Sequence, residues 1–505
     1  MAAKRLSAFT AGINFERRIG TADPVIHSIA YDSRMVGRGA LFFALGGLHT
    51  DGFLFIDDAT RRGAAAVVCA REPERPRDDV VYLVTADPRR LLSPVSAEFY
   101  DHPSKRIPVI GVTGTDGKST TVFLIYQLLE RLGHPAGFLS TVQIKTGSSI
   151  AKNHYRQSTP EACEIQAILA EMASRGKEYA VIEATSHGLS MRTARLADVR
   201  FRVGVMTNVT HEHLEFHGTF EQYRSDKANL FRALDGPRAF GVVNLEDPSS
   251  DFFRRAARAP VLGYSALAQD GADLAARDVK QDPHGISFTI VEREGQSRPA
   301  RINLPGLFNL DNALAAILAV RRLTSAPLDT IIEHLPSLEG AQGRMHVIHR
   351  GQTFAVIVDY AHTPGAFSRL LPAMREQTRG RLVAVFGSAG ERDVAKRRIQ
   401  GEIADRYCDI IILTDEDPRG EKPESILEEI ASGIGSKVRG ETLYLIAPRK
   451  DAFRKAFELA RDGDTVLLLG KGHEATIIYR DGPIPWNEAA VAEECLAERG
   501  FSGGS

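Results

Sequence analysis

Pro108-Val-Ile-Gly-Val-Thr-Gly-Thr-Asp-Gly-Lys-Ser-Thr-Thr121 is the stretch on which the reading of this chain turns. The apolar run Ile107–Val112 predicts a buried strand, and Val122–Leu132 (VFLIYQLLERL) carries the apolar spacing of a helix. Between them lies a glycine-rich turn. Strand, turn and helix N-terminus together make a phosphate cradle, because backbone N–H groups converge there and the helix dipole favours negative charge. Lys118 would reach the terminal phosphates, and the Ser119 hydroxyl would sit on Mg²⁺. Gly111 and Gly117 are separated by five residues, so the pattern reads G-x-x-G-x-x-G-K-S, one residue longer than the common phosphate loop. An ordinary glycine-rich turn with a surface lysine is the plainer alternative. The strand before it and the helix after it favour a nucleoside triphosphate site.

The rest of the chain sets the bounds. Its 505 residues suggest about three domains, and 43% hydrophobic with 25% charged residues is the composition of a soluble globular protein. A net charge of -1 gives no global field to recruit nucleic acid or an anionic membrane. No apolar run approaches the roughly 20 residues that span a bilayer, and the first residues, MAAKRLSAFTAG, lack the apolar core of a signal peptide. Cys69, Cys163, Cys408 and Cys495 lie far apart and match no metal spacing, which predicts reduced thiols in a cytoplasmic protein.

Residues 1–104 read as a small α/β domain, with strand-like Ala40–Leu45, Ala65–Ala70 and Val80–Thr85 and the end of a helix at Asp57–Gly63. His102–Lys105 is a candidate linker. From 105 to 339 the pattern becomes strand, loop and helix, with strands predicted at Tyr179–Glu183, Arg202–Thr207 and Ala239–Asn244 in a mostly parallel sheet. Ala268–Asn303 alternates short, more polar strands, as an antiparallel edge does. A third unit, 340–505, has strands at Phe354–Asp359, Leu382–Gly387, Asp409–Thr414, Leu443–Ala447 and Thr465–Gly470. The expected fold class is therefore α/β in three domains. A phosphate-loop domain with a mostly parallel sheet lies at the centre, and a Rossmann-like domain lies at the C-terminal end.

Several polar constellations sit at strand ends, where open α/β sheets bind ligands. Glu183 ends a strand and runs into Ala-Thr-Ser-His-Gly-Leu189, which suits a Mg²⁺ ligand as well as an ordinary surface carboxylate. Thr207-Asn-Val-Thr-His-Glu-His-Leu-Glu-Phe-His-Gly218 is rich in histidine, yet His211, Glu212, His213 and His217 lack the H-E-x-x-H zinc spacing, so a solvated polar loop remains open. Lys227 falls on a predicted helix, Phe220–Leu234, where a lysine is usually just exposed. Asn309 and Asn312 in Gly306-Leu-Phe-Asn-Leu-Asp-Asn312 read as nucleotide contacts or as helix caps. Four charged strand-end loops mark the third unit: Asp359–Pro364, Gly387–Asp393, Thr414–Gly420 and Gly470–Glu474.

With these segments in view, the chain resembles the Mur ligases of peptidoglycan synthesis, most of all the MurE type, the UDP-N-acetylmuramoyl-tripeptide synthetases, from about Tyr31 to Glu488. The segments that carry it are GVTGTDGKSTT, EATSHGL, TNVTHEHLEFHGTFEQYRSDK, GLFNLDN, GRM, DYAHTP, GSAGERD, DEDPR and GKGHE. The resemblance implies that Ser33, His49 and Thr50 meet the uridine nucleotide, and that Gln157, Ser158, Thr159 and Thr185 hold the muramoyl-dipeptide together with Arg192 or Arg195. It implies ATP contacts from Gly114, Thr115, Asp116, Gly117, Lys118, Ser119 and Thr120, joined by Asn309, Arg344, Asp359 and His362. Metal would be held by Ser119, Glu183 and His213 with Lys227 as a carbamate, since a free ammonium repels Mg²⁺ whereas a carbamate offers oxygen. Lys118, Lys227, Glu183 and His213 would form the catalytic set. The acceptor amino acid would meet Arg392, Glu416, Asp417, Pro418, Arg419, Gly470 and Glu474.

The family implies an ATP- and Mg²⁺-dependent, monomeric, cytoplasmic enzyme acting on small molecules. Neither nucleic acid nor membrane insertion has a part in it. It would join a diamino acid (meso-diaminopimelate, or L-lysine or L-ornithine) to UDP-N-acetylmuramoyl-L-alanyl-D-glutamate through an acyl phosphate. Departures bear on specificity. Asp116 and Ser119 replace the more common Asn and Thr, and Asp417 stands where diaminopimelate-adding enzymes usually carry Asn. Arg419 suits a distal carboxylate, whereas Asp417 suits a terminal ammonium. A folylpolyglutamate-synthetase-like ligase shares the ATP loop and central lysine but lacks the DEDPR, GKGHE and Asp-Ser-Arg segments. A non-catalytic nucleotide-binding homologue is the rival from another class, and it has no need of Lys118, Glu183, His213 and Lys227 together.

Overall fold

The computed structural model describes residues 3–47, 51–155, 157–210, 212–282, 285–293, 295 and 297–502. His49, Thr50 and His211 lie outside these. The chain divides into two compact units, residues 1–264 with 315–325 and residues 265–314 with 326–505.

Among its described residues the first unit contains two large sheets besides the short antiparallel pair Lys4–Arg5 with Val25–Ile26. One orders its strands Arg17–Ile19, Val81–Val84, Ala64–Cys69, Ala40–Phe43 and Ser28–Ala30, all parallel except the first. The helix Ile56–Arg61 connects Ala40–Phe43 to its parallel neighbour Ala64–Cys69, so the expected βαβ unit is present. The other sheet centres on Val109–Thr113. Tyr179–Glu183 and then Ala136–Leu139 lie on one side of it, Phe201–Met206, Phe240–Asn244 and Val261–Ser265 on the other, all parallel. The chain thus leaves Val109–Thr113 for one flank and later returns to the other. That reversal opens a crevice at the carboxyl end of the central strand.

The helix after this strand runs Lys118–Arg131, starting four residues before the apolar spacing suggests. Ser119, Thr120 and Thr121 are small enough to be buried beside Val122–Leu129, so the helix is enclosed on every side and its polar first turn hides the periodicity. Gly117, at φ +80°, opens it. Gly133, at φ +85°, closes it: His134 N–H reaches the Leu129 carbonyl and Gly133 N–H that of Glu130. Ile107 is buried but precedes the strand, and the candidate linker contains a helical turn, Pro103–Arg106, entered through His102 at φ +46°.

In the second unit, Leu274–Asp282, Gly285–Glu292 and Ser297–Ile302 pair antiparallel as expected. The first two are nine and eight residues long, longer than anticipated. A six-stranded sheet follows in the order His346–Ile348, Ala355–Asp359, Thr465–Leu469, Leu382–Phe386, Ile410–Leu413, Leu443–Leu445. All its pairings are parallel except the first. Burial on both faces explains the continuous Val, Ile and Leu runs of the four inner strands. All four cysteines are buried free thiols. Among the described residues no helix is long and apolar enough to cross a membrane.

Candidate active site

In the first unit the loop after Val109–Thr113 wraps around one carbonyl. Gly114 O accepts Lys118 Nζ at 3.0 Å and Lys227 Nζ at 2.6 Å, and Lys118 also donates to Thr115 O at 2.7 Å. Gly114 sits at φ +148°, a conformation that L side chains rarely adopt. The loop is latched from the neighbouring strand end. Thr207 Oγ1 donates to Asp116 O at 2.6 Å, Asp116 N–H to Asn208 Oδ1 at 2.9 Å, and Thr115 N–H to Asn208 O at 2.8 Å.

Lys227 is 1% exposed on the helix Phe220–Arg232, its ammonium 4.4 Å from the centre of the Tyr223 ring. The reading of this lysine as an exposed helix residue is therefore overturned. Burial first, then the nearby Lys118 charge, push its pKa well below the ordinary lysine value. That shift favours the neutral amine, the form that reacts with CO₂.

Glu183 is fully buried, so its reading as a surface carboxylate also fails. Its carboxylate accepts Ser119 Oγ at 2.6 Å, Thr141 N–H at 2.7 Å and Thr141 Oγ1 at 2.9 Å. Thr141 Oγ1 in turn shares a hydrogen bond with Ser158 Oγ at 2.7 Å, while Thr159 Oγ1 reaches the Glu183 carbonyl and accepts from Thr185 Oγ1. Ser119, Glu183, Ser158, Thr159 and Thr185 thus form one hydrogen-bonded group. Thr141 links them, and nothing in its own segment marks it; the signal is that it follows a strand beside Tyr179–Glu183.

The histidine segment is only partly a solvated loop. His213 is half-exposed at φ +55°, whereas His217 is buried and paired with Asp226 at 2.7 Å. His187 packs its ring 4.9 Å from that of His213, and burial lowers its pKa to about 4. Among the described residues no three His, Cys, Asp or Glu side chains converge as a metal cluster.

The two arginine candidates separate clearly. Arg195 is buried, bonded to Glu161 at 3.1 Å and to the Thr159 carbonyl at 3.1 Å, while Arg192 is exposed and stacks 4.5 Å above Phe216. Gln157 is exposed. Ser33 is buried in a turn capped by Asp32 at the carboxyl end of Ser28–Ala30. Thr120 lies buried in the first turn of the loop helix.

The second unit brings its charged strand ends together. Arg344 stacks on Tyr360 at 4.8 Å, and Tyr360 Oη donates to Glu474 at 3.2 Å. Asp359 accepts Met345 N–H and Ala361 N–H, and its pKa is raised by burial. His362 hydrogen-bonds the Tyr360 carbonyl at 2.8 Å. Lys471, fully buried, bonds Asp417 at 2.8 Å and also Glu474. Asp417 further accepts Ile478 N–H at 2.9 Å. The charge that Asp417 was expected to offer a substrate ammonium is therefore already met from within the protein.

Glu416 stands apart: it is buried against Gly470, its Oε2 has no hydrogen-bond partner, and burial raises its pKa to about 7. Pro418 O lies against Gly390, Arg419 adopts φ +54° with its N–H bonded to Ile478 O, and Arg392 is exposed. Asn309 is buried, donating to Pro305 O at 2.7 Å and accepting from Asn312 at 3.3 Å. It stabilises the start of its own helix.

Three family models match successive parts of the chain: Mur ligase family, catalytic domain, over residues 25–100; Mur ligase middle domain over 112–320; and Mur ligase, glutamate ligase domain, over 343–472. A UDP-N-acetylmuramyl-tripeptide synthetase of Roseiflexus sp. is 48% identical, with 95% of this chain and 96% of that one covered. Another, of Treponema denticola, is 45% identical over 94% and 95% of the two chains. A solved structure of a UDP-N-acetylmuramoyl-L-alanyl-D-glutamate–2,6-diaminopimelate ligase matches with a TM-score of 0.70 and 28% identity, covering 99% of this chain and 100% of that one. A phosphate loop whose helix start is hydrogen-bonded to a buried strand-end glutamate thus occurs in a chain matched along nearly its whole length: it belongs to the Mur ligase family, and within it to the MurE type.

Proposed function

We propose that this chain is an ATP-dependent ligase that adds a diamino acid to UDP-N-acetylmuramoyl-L-alanyl-D-glutamate. The observation that carries the reading is the arrangement at Gly114, where two lysines share one loop carbonyl beside the Ser119–Glu183 pair. The two tripeptide synthetases named above support the same substrate class. In this reading residues 1–104 hold the uridine nucleotide, 105–339 hold ATP and the dipeptide end, and 340–505 hold the acceptor. The enzyme works as a cytoplasmic monomer.

The γ-carboxylate of D-glutamate attacks the γ-phosphorus of ATP, ADP leaves, and an acyl phosphate forms. The acceptor amine then attacks the acyl carbon, phosphate leaves with the bonding pair, and the amine loses a proton. Phosphoryl transfer of this kind depends mainly on positioning and on electrostatic stabilisation. Lys118, at the loop's mouth, neutralises charge on the transferring group. Ser119 and Glu183 provide adjacent hard oxygen donors, a set that fits Mg²⁺, with His213 and carbamylated Lys227 completing the protein's share. When bound, Mg²⁺ supplies positive charge to the phosphate oxygens. Ser158, Thr159 and Thr185 orient the dipeptide end through the Glu183 network. Arg392 and Arg419 offer cations to an acceptor carboxylate; Glu416, whose Oε2 has no hydrogen-bond partner, offers an acceptor to an ammonium, and Gly470 and Glu474 line the same pocket.

The test is phosphate release from ATP with UDP-N-acetylmuramoyl-L-alanyl-D-glutamate, adding diaminopimelate, lysine or ornithine in turn. Stimulation by one of them is expected and identifies the acceptor. Lys118→Ala should abolish turnover, and near-normal activity in that variant, or no stimulation by any diamino acid, rejects the proposal.

A further inference from the structure

Arg449 begins the helix Arg449–Leu459 and is fully buried, as is its partner Glu488. Its guanidinium uses every side of its planar fork. Nε donates to Glu488 at 3.0 Å, Nη1 to the Asp415 carbonyl at 2.8 Å, and Nη2 to the Leu469 carbonyl at 2.7 Å. Trp486 Nε1 steadies the same carboxylate at 2.5 Å.

Both carbonyls stand at the roots of charged loops. Asp415 directly precedes Glu416-Asp417, and Leu469 directly precedes Gly470-Lys471. Their strands, Ile410–Leu413 and Thr465–Leu469, are not neighbours: Leu382–Phe386 lies between them, so no backbone ladder joins them. Arg449 is thus a direct tie between the two strand ends. Across the same gap Glu416 Oε2 lies against Gly470, and Lys471 bonds Asp417. A shift of one strand end against the other would open both contacts.

We propose that Arg449 is a positioning residue for the acceptor site, setting the separation of the Glu416–Arg419 and Gly470–Glu474 loops. The proposal rests on reading those loops as the acceptor pocket. Lysine cannot replace arginine here, because a single ammonium cannot bond two carbonyls and a carboxylate in the directions a planar fork does. Charge would be kept and the tie lost.

The experiment compares wild type, Arg449→Lys and Glu488→Gln by steady-state kinetics, with thermal unfolding to confirm that each is folded. Alongside, hydroxylamine traps the acyl phosphate as a hydroxamate in the absence of acceptor, which reports the first half-reaction alone. Arg449→Lys should raise the KM for the acceptor about tenfold or more, and Glu488→Gln, which loosens the arginine, about threefold. The KM for ATP and hydroxamate formation should stay within twofold of wild type in both. An unchanged acceptor KM in either folded variant overturns the proposal. So does a proportional change in every kinetic constant, which would mark a purely structural role. Absence of hydroxamate from the wild type would instead reject the ligase reading itself.

Discussion

Gly114→Ala is the sharpest perturbation of the phosphate loop. A methyl group there would overlap Thr207 Oγ1, which must retreat by at least about 1 Å to reach a non-bonded separation near 3 Å. Retreat is obstructed, since the new carbon also lies 3.1 Å from Asn208 O and 3.2 Å from Asn208 N. Thr207 cannot give way freely either, because its hydroxyl latches the loop through Asp116 O at 2.6 Å. The backbone conformation costs about 1–3 kcal/mol for a residue with a side chain. Overpacking adds about 1–3 kcal/mol, and the lost latch about 1 kcal/mol. The loop relieves this by moving, and with it move the Gly114 carbonyl and both lysines bonded to it. A displacement near 1 Å at a reacting group costs about 100-fold in rate. ADP release under saturating substrates should therefore fall about 100-fold or more in Gly114→Ala. Thr207→Ala alone should lose tenfold at most. In the double variant the obstructing oxygen is gone, so activity should recover at least about tenfold over Gly114→Ala, a non-additive result. Turnover above one third of wild type in Gly114→Ala refutes the steric argument, and so does a double variant that loses the product of the two single effects.

Buried charge leads to two further outcomes. Enzyme freed of CO₂ and bicarbonate should lose activity and regain it on their return; ¹³C-bicarbonate should give a carbamate signal in NMR that disappears in Lys227→Met, whose turnover should fall about 100-fold or more. An active enzyme without that signal rejects carbamylation. Glu416 has its pKa raised from 4.5 to about 7 by burial, so the native state holds its proton where the unfolded chain has released it. The resulting stability is complete below about pH 4 and is lost as pH rises to about 7, a difference of about 3 kcal/mol. Urea unfolding between pH 5 and 8 should show a smaller loss of stability in Glu416→Gln than in wild type; equal losses reject this assignment.

How much was legible in the amino acids depends on the range of each interaction. The phosphate loop is local: strand, glycines and helix start occur within fourteen consecutive residues, so their order alone specifies the cradle. Even there the helix start was hidden, because Lys118–Thr121 lack the apolar spacing that burial normally imposes. Glu183 was found by its place at a strand end, although the network around it was not. Thr141 enters only because the strand it follows pairs with Tyr179–Glu183, a choice made by sheet order. Charge was the hardest property to read. A sequence lists signs, while function depends on which opposite charge each one meets. Asp417 read as a negative group open to substrate, yet Lys471 meets it. Lys227 was singled out only through the resemblance, since helical spacing alone suits a solvated residue, whereas burial and Lys118 favour its neutral amine. Arg449, one basic residue among several in its helix, gave no signal at all, because only packing against Glu488 brings it inside. Each of these charges meets a partner at least 39 residues away, Lys227 reaching across 113 to the Gly114 carbonyl. The chemistry of such a site is therefore set less by the motifs that announce it than by distant residues that decide which of their charges remain available.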